Sequence, residues 1–201
     1  MNYLRKAVLN LVLGAGLITA QGAYAATLDF ESAPLELSAY EGFSWENFGT
    51  ISHTDSFAYH PSGYQAGATS GSRVAYNAFG NPATISSASS FNLTSGFFTA
   101  GWRDGLTLRV VGTGANSFDK TYTLSAFTPT EIVFNWTGLT SVTFSTSGGT
   151  FVNAYGGGGG NQFVVDDLTF TSAVPEPATY GMLLGGLGLI GFAARRKRST
   201  T

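Results

Sequence analysis

The fold of this chain is decided by two runs, LTLRV at Leu106–Val110 and FVVDDLTF at Phe163–Phe170. In the first run apolar and polar residues alternate, which is typical of a strand with one buried face. The second run is rich in β-branched and aromatic residues and is predicted to be a closing strand. Shorter segments of the same kind occur at Thr27–Glu31, Phe43–Phe48, Arg73–Ala78, Ala83–Ile85, Ser90–Leu93, Phe97–Trp102, Lys120–Ser125, Ile132–Trp136 and Val142–Phe144.

These segments are separated by Gly, Asn, Ser and Pro, and no stretch of the core repeats apolar residues at the period of a helix. The sequence therefore predicts an all-β fold, a single antiparallel β-sandwich. Two connections are longer than a hairpin needs, Ser52–Ser72 and the five glycines Gly156–Gly160. The first is predicted to be a binding surface or a lid, and the glycine run a flexible excursion.

The first 25 residues have the pattern of a secretory signal peptide. Arg5 and Lys6 precede an apolar stretch from Ala7 to Ala20, and Ala23-Tyr24-Ala25 offers small residues where a signal peptidase cuts. We expect the Sec translocon and signal peptidase as partners and cleavage after Ala25. A retained N-terminal anchor is the alternative, which the short apolar stretch disfavours.

The chain ends in a second apolar segment. The 17 residues from Ala178 to Ala194 carry no charge, and as a helix they would span roughly 26 Å, enough for a hydrocarbon core. The basic cluster Arg195, Arg196, Lys197 and Arg198 follows, and it is expected to stay cytoplasmic. Span length and charge alone fit an ordinary single-span anchor equally well.

Three features of the tail occur in order: Pro175-Glu176-Pro177, the Gly- and Leu-rich segment Met182–Phe192, and the basic block Arg195–Arg198. This arrangement resembles the PEP-CTERM sorting signal, which exosortases process in Gram-negative bacteria that make extracellular polysaccharide. The resemblance implies a protein that is held briefly in the inner membrane, cut by an exosortase-type peptidase near Pro-Glu-Pro, and released to the cell surface or beyond.

Together the two ends divide the chain into a signal peptide (1–25), a β-sandwich domain (26–173) and a sorting signal (174–201). The sorting signal comprises a transmembrane helix at 178–194 and a basic tail at 195–198. All 12 acidic residues lie between Asp29 and Glu176, against four basic residues in the same part, a net charge of −8. Such a surface disfavours nucleic acid and attracts cations. Cysteine is absent, so no disulfide or thiolate site is possible.

The two ends of the domain, Leu28–Glu31 and Val165–Phe170, resemble the first and last strands of galactose-binding-like jelly rolls, the fold of many carbohydrate-binding modules. The resemblance implies that these strands pair and that a structural calcium lies near them. Asp29, Glu31 and Asp166 or Asp167 would then supply oxygens, with backbone carbonyls completing the shell. The alternative is that these acids are solvated charges at strand ends.

Aromatic residues suggest a sugar-binding surface, because flat rings can cover the apolar face of a sugar. Trp45 and Trp102 are each predicted at a strand-to-turn edge, and Tyr59 and Tyr64 lie in the long loop. These four are the candidate stacking residues, with core packing as the alternative for each. Trp136 alternates with other apolar residues and is predicted to be in the core.

The sequence offers no recognisable catalytic motif. His53 and His60 lie in the long loop at a spacing that fits no helical pair, and no G-x-S-x-G occurs. We therefore predict a non-catalytic structural or carbohydrate-adhesive module of the extracellular matrix, of the kind that biofilms contain. A secreted polysaccharide-active hydrolase is the alternative, and an inert spacer is the third.

Overall fold

The computed structural model describes residues 25–54, 61–155, 159–172 and 186–187. Their secondary structure consists of nine strands and one short helix, with 3₁₀ turns at Ala78–Gly80 and Asn153–Tyr155. The elements are β1 (Ala25–Leu28), β2 (Glu36–Tyr40), β3 (Phe43–Ser52), α1 (Gly63–Ala66), β4 (Arg73–Asn77), β5 (Ala83–Ala100), β6 (Arg103–Gly114), β7 (Phe118–Leu124), β8 (Thr130–Phe151) and β9 (Phe163–Ser172).

The strands form one antiparallel array in the order β1-β9-β4-β3-β5-β8-β6-β7, with β2 added beside β3. The array folds onto itself because β5 pairs with different strands at its two ends. Near its start Ile85 lies opposite Trp45 of β3, whereas near its end Phe98 lies opposite Val165 of β9. The circuit β3–β4–β9–β5 thus returns to β3, and the hydrogen-bonded sheet has no free edge along that circuit.

Strand β8 bends in the same way and brings two layers face to face. Its second half pairs with β6, as at Phe144 opposite Val110. Its first half packs against β7: the rings of Trp136 and Phe118 are stacked with centroids 4.9 Å apart. The prediction of an antiparallel β-sandwich is therefore confirmed, and Trp136 is in the core as predicted, with 4% of its surface exposed.

The centre of the sandwich is a cluster of phenylalanines. Phe98, Phe144 and Phe163 are essentially buried and come from β5, β8 and β9, with ring centroids 5.6–6.0 Å apart. Phe48 of β3 meets two of these rings edge to face. Such contacts add to area burial, so one cluster holds together strands that are far apart in the chain.

The first and last strands pair, as the jelly-roll resemblance implies. Ala25 lies opposite Thr171, and Leu28 lies opposite Leu168. Leu28 and Leu168 are buried. This pairing fixes the beginning and the end of the described domain next to each other.

The structure departs from the predicted strands at the bends. β5 joins three predicted strands, and it remains extended through the small residues Ser86–Ser90, where its register with β8 shifts. β8 joins two predicted strands across Gly138, whose φ of +69° lets the chain turn without a break. β2 was not predicted, because Glu36–Tyr40 has few strong strand formers.

In the part of the chain that the structure describes, no helix is long and apolar enough to cross a membrane. The predicted signal peptide, apart from Ala25, and the predicted span 178–194, apart from Gly186 and Leu187, lie outside the described residues. So do Pro175, Glu176 and Pro177 and the basic block Arg195–Arg198.

Candidate functional site

An open cleft of about 700 Å³ lies at the end of the sandwich where β4 ends and β9 begins. This volume is in the usual range for small-molecule sites. The described residues that line the cleft are Leu35, Glu36, Leu37, Ser38, Asn47, Phe48, Gly49, Tyr64, Tyr76, Ala78, Phe79, Trp102, Gly159 and Gln162.

Three aromatic rings stand side by side in this cleft. Tyr64 of α1 is in the middle, with its ring centroid 5.4 Å from that of Tyr76 and 5.5 Å from that of Trp102. The ring of Tyr76 lies over Gly49, directly opposite on β3, where a Cβ would come within 2.9 Å of ring atoms. Glycine at this position is what allows the tyrosine to lie flat against the sheet.

Phe79 forms the rim and is the most unusual residue of the cleft. Its side chain is 90% exposed, and its backbone is left-handed with a φ of +57°. A bulky residue rarely adopts this conformation, which costs on the order of 1–3 kcal/mol. The fold therefore presents a large apolar ring to solvent at a conformational cost, with no burial to offset it.

Two asparagines hold the turn that carries Phe79. Asn77 is fully buried; its Nδ2 donates to the carbonyl of Asn81 at 2.9 Å, and its Oδ1 accepts the N–H of Phe163 at 2.7 Å. On the other side, Nδ2 of Asn47 donates to the carbonyl of Pro82 at 2.9 Å. These bonds tie the turn to β9 and β3, so the sandwich fixes the backbone that carries Phe79.

Polar groups lie among the rings. Glu36 is exposed at the start of β2, and Ser38 follows two residues later on the same strand. Gln162 immediately precedes β9, and its carbonyl accepts the N–H of Gly101 at 2.8 Å. Its Oε1 is a buried acceptor without a hydrogen-bond partner among the described residues, which is an expensive condition for a polar atom.

The predicted stacking residues have different positions in the structure. Tyr64 and Trp102 both line the cleft, although each is more than nine-tenths buried and offers little free surface. Trp45 lies in the core instead: its ring meets Phe48 edge to face at 5.0 Å, and its Nε1 donates to the carbonyl of Tyr40. Tyr59 lies outside the described residues.

Tyr76 and Phe79 line the cleft but are not among the predicted stacking residues. The sequence around Tyr76 is that of an ordinary strand, and its place in the cleft follows only from its position opposite Gly49. Phe79 did carry a signal: an aromatic residue directly before Gly80-Asn81-Pro82, in a run of turn residues, has nothing to pack against locally.

A second polar site lies where the resemblance implied calcium. Asp166 is fully buried, and its Oδ2 accepts the N–H groups of Thr69 and Ser70 at 2.8 and 2.9 Å. Its Oδ1 accepts the N–H of Asp167 at 2.8 Å. Burial raises the pKa of Asp166 above its ordinary value, although the N–H groups of Ser70 and Asp167 act in the opposite direction.

Glu31 accepts hydrogen bonds from the second part of the loop before β4. Its Oε1 accepts the N–H groups of Ser72 and Arg73 at 2.7 and 2.5 Å. Burial pushes the pKa of Glu31 upward, but the hydrogen bonds from Arg73 and Ser72 outweigh it and hold the pKa below its ordinary value. Gly71, between the two halves, has a φ of +49°, and a Cβ there would collide with the Glu31 carboxyl. We call Asp166, Glu31 and residues 69–73 the carboxylate clamp.

The predicted calcium ligands do not converge in this arrangement. The carboxylates of Asp166 and Glu31 already accept hydrogen bonds from backbone N–H groups, whereas calcium requires six to eight oxygens around one point. Asp29 is exposed and accepts the N–H of Glu31, and Asp167 accepts the hydroxyl of Thr69. Among the described residues, no group of three or more His, Cys, Asp or Glu side chains could hold a metal ion. A structural calcium at these residues stays a prediction.

Residues 173–198 match the family model of the PEP-CTERM protein-sorting motif. The resemblance of the tail to this motif is therefore confirmed, and the match begins at the residue that follows β9. The motif indicates an exported, membrane-transiting protein that an exosortase targets. No curated protein matches the chain.

Similar solved structures include carbohydrate-binding modules. TmCBM61, solved in complex with β-1,4-galactotriose, is 11% identical, with 72% of this chain and 94% of that chain covered and a TM-score of 0.40. A DUF4465 family protein from Bacteroides caccae is 12% identical, with 77% and 88% covered and a TM-score of 0.49. A family 29 carbohydrate-binding module is 11% identical, with 77% and 100% covered and a TM-score of 0.38. Values this low carry nothing about the function of the cleft.

The carboxylate clamp predicts a specific loss of stability. Asp166→Asn should lower the free energy of unfolding by about 2–4 kcal/mol, because an amide NH₂ must then face backbone N–H donors whichever way it is turned. Glu131→Gln makes the same charge change on an exposed residue of β8 and should cost less than about 0.5 kcal/mol. Urea denaturation of both variants measures this. Equal stabilities would show that the buried hydrogen bonds contribute little.

Removal of divalent ions by a chelator tests whether calcium binds at the carboxylate clamp. Because N–H and O–H donors already surround the carboxylates of Asp166 and Glu31, we expect the same melting temperature in Ca²⁺ and in EDTA. Scanning calorimetry in each buffer, with Mg²⁺ as the control ion, measures it. A melting temperature that falls in EDTA and returns with Ca²⁺ alone would contradict the expectation and support a structural calcium.

Proposed function

We propose that this chain is an exported surface or matrix protein that binds carbohydrate, without turnover, in the aromatic cleft. The observation that carries the proposal is Phe79, a ring 90% exposed on a left-handed backbone at the rim of the cleft. A conformational cost that no burial offsets suggests a functional role for the residue. Stacking on a ligand would bury this ring.

The rest of the cleft matches what a sugar requires. Sugar rings have an apolar face that packs on aromatic side chains, and hydroxyls at the edge that need hydrogen-bonding groups. Phe79 and the half-buried Tyr76 offer the apolar surface, while Glu36, Ser38 and Gln162 stand beside them. Because the backbone of Phe79 and the ring of Tyr76 are held by the sandwich, little backbone entropy would be lost on binding.

The positions of the carboxylates favour binding without turnover over hydrolysis. Glycoside hydrolysis generally uses a pair of carboxyl groups on either side of the scissile bond. Glu36 is the one carboxylate among the described residues of the cleft. The buried Asp166 accepts three backbone N–H groups and is committed to the clamp. No observation favours a hydrolase.

The proposed course of export joins the two ends of the chain. The signal peptide passes the chain to the Sec translocon, and signal peptidase removes it. The apolar segment of the sorting motif then holds the protein in the inner membrane until an exosortase-type peptidase cuts near Pro-Glu-Pro. The released sandwich would bind polysaccharide of the extracellular layer as a structural or adhesive component.

Phe79→Gly should separate binding from stability. We expect at least about tenfold weaker binding to polysaccharide, equivalent to about 1.4 kcal/mol, because the stacking ring is lost. The free energy of unfolding should stay unchanged or rise by up to about 1 kcal/mol, because glycine adopts the left-handed conformation without strain. Glycan-array binding and urea denaturation give the two readouts.

The matched control is Phe127→Gly, which removes another exposed aromatic ring outside the cleft. Phe127 is 56% exposed and packs against Tyr155. Its removal should leave polysaccharide binding unchanged. If the Phe79 variant binds as well as the wild type, the cleft is not the binding site.

Processing of the tail is tested on protein collected outside the cell. In a host that encodes an exosortase, mass spectrometry should find a chain that ends near Pro175–Pro177 and lacks Arg195–Arg198. Deleting the exosortase gene should leave the full-length chain in the membrane fraction. Extracellular protein that still carries its terminal arginines would disprove processing.

A further inference from the structure

Among the described residues that line the cleft, one side chain is charged, and its charge is negative. This side chain is Glu36. Between the two targeting ends the sequence has four basic residues, Arg73, Arg103, Arg109 and Lys120. All four are described, and none of them lines the cleft.

The three arginines are also engaged elsewhere. Arg109 forms an ion pair with Asp119 on the surface of β6 and β7. The guanidinium of Arg103 donates to the carbonyls of Gly148 and Gly149. Arg73 has its Nη1 3.4 Å from the hydroxyl oxygen of Thr50. Lys120 is exposed on β7. None of the described basic side chains is therefore placed to neutralise a negatively charged ligand in the cleft.

We infer that the cleft selects uncharged polysaccharide chains and rejects chains of uronic acids or sulfated sugars. This inference rests on the proposed function and assigns its ligand class. A carboxylate or sulfate group that entered the cleft would give up water against aromatic walls and gain no cationic partner. It would also be repelled by Glu36 and by the surrounding net charge of −8.

An uncharged sugar meets none of these obstacles. Its hydroxyls are hydrogen-bond donors, and the exposed carboxylate of Glu36 and hydroxyl of Ser38 are acceptors. Its apolar face is complementary to Phe79 and Tyr76. The described lining of the cleft thus offers hydrogen-bond acceptors and aromatic rings, which suit an uncharged polysaccharide. It contains no arginine, whose paired N–H donors would bind an anionic group.

The test uses pairs of polysaccharides that differ only in charge. The processed protein is titrated with soluble β-1,4-glucan, β-1,4-galactan and β-mannan, and with the same three chains oxidised at C6 to uronates. We expect at least one neutral chain to bind, its oxidised form to bind at least tenfold more weakly, and the affinity for the neutral chain to be unchanged between low and high salt.

A charge-reversal variant tests whether the charge of Glu36 causes the discrimination. Glu36→Lys should bring the affinity for the oxidised chain to within about threefold of that for the neutral chain. Glu46→Lys, the same change at an exposed residue of β3 outside the cleft lining, should leave the difference as it is in the wild type. If the wild type binds the oxidised chain as well as the neutral one, selection by charge is overturned and the binding function stands. If no chain binds, the proposed function and the inference both fail.

Discussion

The bends in β5 and β8 are the constraint on which the structure depends. Because β5 pairs with β3 at one end and with β9 at the other, the same strand belongs to both layers and closes the sheet. The chain has no cysteine, so this closure and the phenylalanines inside it do the work that disulfides do in many small exported domains. The cleft is a product of the closure, since its rings stand on β4, on α1 and at the junction of β5 with β6.

The carboxylate clamp connects the turn after the first strand, the last strand and the loop before β4. Its two acids respond to pH in opposite directions. Glu31 has a lowered pKa, so it contributes stability above the pKa of the unfolded chain, and this contribution is lost as the pH falls through the folded value. Asp166 has a raised pKa, so its contribution is present at low pH and is lost as the pH rises through the folded value. Because the two contributions oppose each other, the net change in the free energy of unfolding at low pH is smaller than the larger of the two contributions alone.

Alternation of apolar and polar residues predicted the fold class and most strands, because period-two patterning is local. The bends were not predictable: Ser86–Ser90 has the composition of a turn, and the bulge that it forms between Ser86 and Phe91 depends on how β8 pairs on either side of it. Their residue types single out Tyr64 and Trp102, and both line the cleft. Trp45 looked like an edge residue but is enclosed by Phe30 and Tyr40, which its own strand does not supply. Tyr76 depends on a glycine 27 positions earlier in the sequence, a pairing visible only in the folded sheet.

The pairing of β1 with β9 places the start of β1 and the end of β9 at the same end of the sandwich. β9 begins next to Gln162 in the cleft and ends at Ser172, where the sorting motif takes over. Ten extended residues separate the two points by roughly 30 Å. Ala25 and Ser172 therefore lie at one end of the sandwich, and the aromatic cleft lies near the other. Under the proposed function, a polysaccharide would bind at the end opposite to the one from which the sorting motif continues.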